Sequence, residues 1–271
     1  MAEELLDLGG QAAFVTGAGQ GAGRRIAELL AAHNAAVAVN DFVVERAEAV
    51  AEEIRAAGGK AIAVQADVSD RHSVAAAFAK AVDALGPVTL LVNNAGNAGP
   101  RKQIGLDALF WETDPGDWPH WFGTNLYGVM NCCHVALPGM VAAGRGRVVT
   151  ITSDAARVGE PRLAAYGAAK AGATGFMRCL AREAGRHNIT CNSIALGTQE
   201  PPEWAQEGWT DAQRTEYGAT DEARSRLSRY VIKRFGKAED VAAMALFLCS
   251  DAAEWITGQT YPVNGGYSFN Q

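Results

Sequence analysis

A chain of 271 residues, 48% of them apolar, is long enough to bury one large core, and 24 Lys and Arg against 30 Asp and Glu leave it a net charge of −6. Neither sign gathers into a run, which argues against nucleic acid or an anionic membrane as the main partner and for a small molecule. Five cysteines without a C-x-x-C pair suggest neither a disulfide framework nor a metal site, and an acidic start without any apolar run near ~18 residues predicts a soluble, cytoplasmic protein.

In chain order, short Val, Ile and Ala runs alternate with segments of helical period. Ala12 to Thr16 reads as the first strand, with a helix from about Ala22; Ala36 to Asn40 is the second, with a helix from Val44 to Ala57. Ala61 to Gln65 precedes a helix over Ser73 to Leu85, and Val88 to Val92 precedes one through Trp121 to Ala142. Arg147 to Thr152 leads into a helix over Leu163 to His187, and Thr190 to Ile194 into a polar, aromatic stretch. A helix over Asp240 to Cys249 and a strand at Thr260 to Val263 close the series. Apolar strands separated by helices predict an α/β fold, a doubly wound parallel sheet of about seven strands with helices on both faces. With no repeat or linker, residues 1–271 read as a single domain whose rhythm breaks only at about 97–118 and 197–235.

The first strand runs into Thr16-Gly17-Ala18-Gly19-Gln20-Gly21-Ala22-Gly23, and a helix opens there. Glycines allow the backbone to turn tightly and to approach a pyrophosphate, while the helix N-terminus offers N–H groups and the positive end of its dipole. This is the Rossmann-like position for a dinucleotide. Asp41, ending the second strand 20 residues after Gly21 and followed by Phe42, can accept from both ribose hydroxyls and would repel a 2′-phosphate. NAD is therefore favoured over NADP, although Arg24 or Arg25 could neutralise a phosphate.

Tyr166 and Lys170 are spaced i, i+4, which places an ammonium beside a phenol on one helix face. Unit charges about 4 Å apart interact by roughly 4 kcal/mol at an effective dielectric near 20, enough to draw a tyrosine from about 10 toward about 7. Such a tyrosine is expected to trade protons at neutral pH.

Together, Gly17-x-x-x-Gly21-x-Gly23 and Tyr166-x-x-x-Lys170 resemble the short-chain dehydrogenase/reductase family in its single-domain form. The likeness spans nearly the whole chain. Asp67-Val68 looks like that family's adenine-contacting pair and Asn93-Asn94-Ala95-Gly96 like its structural motif; Arg234 to Val241, Ile256 to Gln259 and Val263 to Gly266 are similar to its ending. By this resemblance Asn125, Ser153, Tyr166 and Lys170 form a catalytic tetrad. Tyr166 exchanges the alcohol proton, Ser153 bonds the substrate oxygen, Lys170 also holds the nicotinamide ribose, and Asn125 positions a water. For Asn125, bonding of a nearby carbonyl is an equally compatible role. The resemblance also implies cofactor contacts from Gly17, Gln20, Gly21, Ala22, Asp41, Phe42, Asp67, Val68, Asn94, Ala95, Gly96, Tyr166, Lys170, Leu196, Gly197 and Thr198.

After the sixth strand the family pattern Pro-Gly-x-x-x-Thr is replaced by Leu196-Gly197-Thr198-Gln199-Glu200-Pro201. Proline lacks the hydroxyl that would bond the nicotinamide carboxamide, leaving Thr198 and Gln199 as candidates. Trp111, Trp118, Trp121, Trp204 and Trp209 fall in or beside the two irregular segments. Trp118 matches a framework aromatic; Leu106, Leu109, Phe110 and Trp111 read as a wall for a bulky apolar or cyclic substrate, or as an oligomer contact. Residues 199–230 resemble a substrate lid, whose Arg214, Arg224, Arg226 and Arg229 are a solvated face or meet a carboxylate or coenzyme A phosphate. His120 and His134 lack metal-ligand spacing.

The expected function is NAD-dependent exchange of a hydride with a secondary alcohol or ketone. An NADPH-dependent reductase of oxoacyl thioesters or polyketides is the alternative enzyme; a sugar-nucleotide epimerase would have a differently spaced glycine motif, and a dinucleotide-sensing scaffold would keep the fold alone. By family analogy the chain forms tetramers through the tyrosine-bearing helix, where Ala164, Ala165, Ala168, Ala169, Ala171, Gly172 and Ala173 permit close approach.

Overall fold

The structure, a computed structural model, describes residues 5–96, 108–200, 210–218 and 220–269. Its seven strands are β1 (Ala12–Val15), β2 (Ala36–Asp41), β3 (Lys60–Gln65), β4 (Val88–Asn93), β5 (Gly146–Ser153), β6 (Ile189–Leu196) and β7 (Thr260–Val263). They form one sheet in the order β3-β2-β1-β4-β5-β6-β7, parallel throughout. Both faces are covered, so β1 and β4 are buried along their whole length and read in sequence as continuous rather than alternating apolar runs.

On one face lie α1 (Gly21–Ala32), α2 (Val44–Ala56) and α9 (Ala238–Cys249); on the other, α3 (Arg71–Leu85), α5 (Gly128–Ala143) and α6 (Ala164–Ala184). Successive strand residues point to opposite faces and divide the core accordingly. Val15 and Val37 join Ile26, Val50 and Val241 in one cluster, while Phe14 and Leu91 join Phe78, Val129 and Met177 in the other. Phe14 stacks on Phe78 with ring centroids 4.0 Å apart.

Two segments depart from the sequence expectation. The helix predicted from Trp121 to Ala142 is split into α4 (Trp118–Phe122), a π-helical turn (Gly123–Tyr127) and α5. A π turn inserts a residue into the helical repeat and shifts the periodicity on which the boundary rested. The stretch read as irregular at 197–235 contains α7 (Asp211–Gly218) and α8 (Asp221–Leu227), the latter capped by Thr220, whose hydroxyl accepts from the Ala223 N–H at 3.2 Å. These helices are short and polar, so no apolar stripe announced them. The helical run Pro115–Ala143 is long and apolar enough to cross a membrane by length and composition; here Val129, Cys133, Ala136 and Met140 bury its inner side in the second cluster.

The sheet order reverses between β1 and β4, the position where open parallel sheets form a crevice at their carboxyl ends. Thr16 ties the two strand ends together: its N–H donates to the Val92 carbonyl at 3.0 Å, and its hydroxyl accepts from the Asn94 and Ala95 N–H groups at 3.0 and 2.9 Å.

Candidate active site

A cleft of about 560 Å³ opens at this crevice. It is lined by Gly17, Gln20, Gly21 and Ala22 from the glycine turn, Asp41 and Phe42 from the end of β2, Asp67 and Val68 after β3, and Asn94, Ala95 and Gly96 after β4. These eleven residues are all among the cofactor contacts expected from sequence. Helix α1 begins in the cleft without a side-chain cap and without an acidic residue in its first turn, leaving its N–H groups for an anion. Asn94 braces the turn by donating to the Thr16 and Gly17 carbonyls at 2.9 and 3.0 Å. At Gly23 a Cβ would lie 2.2 Å from the Gly17 oxygen, so helix and turn approach this closely only around glycine. A glycine cradle, an uncapped helix start and a rim carboxylate together fit a dinucleotide.

The rim carboxylate, Asp41, is buried and oriented by its own backbone: it accepts from the Gly19 N–H and the Val43 N–H, each at 3.0 Å. Arg24 and Arg25, the cations considered from sequence, are engaged elsewhere. Arg24 pairs with Glu28 and Glu53, and Arg25 with Glu28 and Glu239. The arginine that lines the cleft is Arg46, on the first turn of α2, which sequence reading missed. Five residues after Asp41, it returns over the glycine turn, where a Cβ on Gly19 would come 2.5 Å from the Arg46 Cβ. The Asp67 turn is also braced, with its carboxylate accepting from the Ser69 N–H and hydroxyl at 2.8 and 2.7 Å.

Ser153 ends β5 and caps the following 3-10 turn, its Oγ accepting from the Ala155 N–H at 3.2 Å and bonding the Tyr166 hydroxyl. Tyr166 lies in the first turn of α6, its ring meeting buried Trp121 edge-on with centroids 5.6 Å apart. Lys170, one turn further, is buried; its Nζ donates to the Ile151 carbonyl at 3.0 Å and stands 6.0 Å from the centre of the Tyr166 ring. Asn125 is wholly buried in the π turn and donates to the Trp121 carbonyl at 2.9 Å, so the carbonyl-bonding role is realised.

The expected lowering of the tyrosine by the lysine is overturned. Burial raises the Tyr166 phenol above its ordinary value of 10, opposed only by the Ser153 hydrogen bond. Burial also pushes Lys170 down from 10.5 to about 8. The lysine donates to a backbone carbonyl and is buried, while the tyrosine is half-buried among its neighbours, and this loss of hydration disfavours charge on each. The group that titrates near neutrality is the lysine.

Gly96 joins the cleft to this cluster. A Cβ there would lie 2.8 Å from Lys170 Nζ and 3.0 Å from Asn125 Oδ1, so the wall of the dinucleotide cleft and the buried lysine and asparagine converge at one point. Beside Tyr166, Phe110, Trp118, Trp121, Asp117 and Arg162 line a small second cleft. Trp118 has the framework role expected, stacking on Phe110 at 5.3 Å and donating to Thr113 Oγ1 at 3.2 Å. Trp111 is largely exposed, while Leu106, Pro201, Trp204, Trp209 and the side chain of Arg214 lie outside the described residues.

Leu196, Gly197 and Thr198 are not among the residues lining the dinucleotide cleft. Leu196 pairs with Ser153 across β5 and β6, at the carboxyl edge of the sheet. Thr198 is held by Tyr230, whose hydroxyl accepts from the Thr198 N–H at 2.8 Å and donates to its Oγ1 at 2.9 Å. Gln199 donates to the Gly197 carbonyl at 3.2 Å. Arg224 pairs with Asp221 and Arg229 with Glu160, while His120 lines the cleft and His134 meets Arg71. Among the described residues no group of three His, Cys, Asp or Glu could hold a metal.

A family profile described as enoyl-(acyl carrier protein) reductase matches residues 17–268. The chain is 39% identical over 258 residues to a 3-oxoacyl-(acyl-carrier-protein) reductase of Staphylococcus aureus, covering 94% of this chain and 97% of that one. It is 34% identical over 262 residues to 7alpha-hydroxysteroid dehydrogenase of Escherichia coli, covering 96% and 95%. Among solved structures, a 7α-hydroxysteroid dehydrogenase complexed with NADH and 7-oxo glycochenodeoxycholic acid superposes with a TM-score of 0.84 at 33% identity, covering 100% of this chain and 99% of the other.

Proposed function

The chain belongs to the short-chain dehydrogenase/reductase family of oxidoreductases, and from that premise we propose that it exchanges a hydride between NAD(H) and a bulky, apolar secondary alcohol or the matching ketone. The observation that carries this reading is the convergence at Gly96, where the wall of a dinucleotide-sized cleft touches the buried Lys170 and Asn125. A bound nicotinamide dinucleotide supplies the hydride acceptor or donor. The turn from Gly17 to Ala22 would hold its phosphates and Asp41 its adenosine ribose.

Tyr166, protonated at neutral pH because burial raises it, donates its hydroxyl proton to the ketone oxygen in reduction and takes the proton back in oxidation. Ser153, bonded to the Tyr166 hydroxyl, stabilises charge developing on the same substrate oxygen. Lys170, at about 8, accepts or returns the proton between Tyr166 and solvent, and Asn125 fixes the π turn that stands against it. Phe110, Trp118 and Trp121 shape the apolar side of the substrate. Support for NAD comes from the buried, backbone-oriented Asp41. A second reading, an NADPH-dependent oxoacyl-thioester reductase, is favoured by Arg46 in the same cleft and by the 39% identity to the staphylococcal reductase. We further read the active form as a tetramer, supported by the exposed Ala168 and Ala171 on α6, and its location as cytoplasmic, supported by five free thiols.

The test is a screen of cyclic, aromatic and acyl-thioester alcohols and ketones with both dinucleotides, followed by nicotinamide absorbance and paired with fluorescence titrations of NADH and NADPH. Tighter NADH binding with turnover of cyclic substrates is expected. Tighter NADPH binding with turnover of oxoacyl thioesters alone would establish the second reading.

A further inference from the structure

The residue after Ser153 is a buried carboxylate with no part in the chemistry above. Asp154 is 2% exposed. One of its oxygens accepts from Arg157 at 2.8 Å and from the Ser268 hydroxyl at 3.0 Å; the other accepts from Asn264 Nδ2 at 2.7 Å. Arg157 also donates to Ser268 Oγ at 2.8 Å and to the Phe269 carbonyl at 3.2 Å. Asn264 is itself held, donating to the Ser268 carbonyl at 3.0 Å and accepting from the Gly266 N–H at 3.0 Å. The turn that follows β7 is thus bolted onto the turn that follows β5, although the two are more than a hundred residues apart in sequence.

What this fastening governs is the orientation of the serine. Ser153 Oγ is set by the Ala155 N–H, which belongs to the 3-10 turn Asp154–Ala156. The Asp154 carbonyl accepts from the Arg157 and Val158 N–H groups, each at 2.9 Å, and closes that turn. A carboxylate at 2% exposure needs its partners in place, because a buried charge left unpaired is strongly destabilising. Asn264, Ser268 and Arg157 converge on the Asp154 carboxylate from outside this turn.

We propose that the C-terminal turn Asn264–Ser268 is a positioning element of the active site and Asp154 its positioning residue, fixing Ser153 Oγ against the Tyr166 hydroxyl. This rests on the catalytic reading of Ser153 and Tyr166 given above. The same C-terminal turn has a second arm. Tyr267 donates to Glu160, Arg229 lies 5.0 Å over the Tyr267 ring and pairs with Glu160 at 3.4 Å, and Tyr230 meets the Tyr267 ring at 5.1 Å. That arm ties the turn to Glu160 and to Arg229 and Tyr230 rather than to the serine. The two arms therefore have different kinetic signatures.

The experiment compares D154N, S268A, E160Q and Tyr166→Phe in the full-length protein with the best substrate of the screen. The readouts are kcat, KM, the pH profile of kcat and NADH affinity by fluorescence. D154N keeps the shape and removes the charge. It is expected to lower kcat at least tenfold while leaving NADH affinity within twofold and the pH limb set by Lys170 in place, because Ser153 Oγ loses its position and Lys170 does not. S268A, which removes one hydroxyl, is expected to produce the same pattern at roughly threefold. E160Q is expected to raise KM with kcat within twofold. D154N and S268A both retaining parental kcat would overturn the proposal. So would a loss of NADH affinity in S268A equal to its loss of kcat, since that indicates general disruption. If instead Tyr166→Phe turns over normally, the catalytic reading itself falls, an outcome distinct from failure of the positioning role.

Discussion

At the scale of single residues, Asp41 and Lys170 give the proposed reading its sharpest tests. Asp41 presents a carboxylate whose two oxygens are already oriented by the Gly19 and Val43 N–H groups, so a ribose bound as proposed would meet a preorganised acceptor. Hydrogen bonds to charged groups contribute about 1.5–3 kcal/mol each, and Asp41→Asn is therefore expected to weaken NADH about tenfold or more while weakening NADPH far less, by fluorescence titration. Asp41→Asn with Arg46→Ala should lose the residual NADPH affinity as well. On the proposed reading Lys170 sets the pH dependence. Oxidation leaves a proton on the enzyme, so its rate follows the fraction of Lys170 that is deprotonated. The rate should rise about tenfold per pH unit below about 8 and level off above, with ketone reduction doing the reverse. Lys170→Met, assayed across the same range, should lack that limb. Both residues were legible as motif positions in the sequence. The direction of the tyrosine shift was not, because spacing reports that two side chains share a helix face and says nothing of the burial of either or of the carbonyl that takes the lysine.

At the scale of elements, the strands and the large helices were legible from apolar runs and period, since burial on both sheet faces leaves continuous Val, Ile and Ala segments. The dinucleotide cleft was legible in part from order, a glycine turn after β1 and an aspartate after β2, and in part from family resemblance, which supplied Asn94 to Gly96 after β4; all meet where the sheet order reverses. Arg46 escaped notice because its role depends on how α2 folds back over Gly19. The π turn Gly123–Tyr127 escaped because nothing in local composition marks one inserted residue. Its consequences are testable. Gly128, at the junction of π turn and α5, would place a Cβ 2.7 Å from Val68 Cγ2. Gly128→Ala is expected to destabilise the fold by about 1–3 kcal/mol, read as a lower melting temperature, and to weaken dinucleotide binding because Val68 lines the cleft. Gly96→Ala should act on chemistry instead. Its methyl group would displace Lys170 Nζ, lowering kcat at least tenfold with little change in thermal stability.

At the scale of the whole molecule, the parallel sheet serves as a platform that brings residues from four separate strand ends to one edge. Ser153 and Leu196 stand level across β5 and β6, Gly96 extends β4, and the turn after β7 returns to Asp154. The C-terminal turn was visible in sequence only as a likeness to a family ending; its convergence on Asp154 depends on a contact 110 residues long in sequence. Assembly is expected to use α6, where Ala168 and Ala171 are exposed. Light scattering should report a tetramer, and Ala171→Glu should reduce the assembly while leaving the monomer folded by circular dichroism. The central claim, that Tyr166 is the acid and base of a hydride-transfer enzyme, is tested most directly by the turnover of Tyr166→Phe with a good substrate and saturating NADH. The account predicts a loss of at least about 10² in kcat with NADH affinity retained, and turnover within about tenfold of the parent would contradict it.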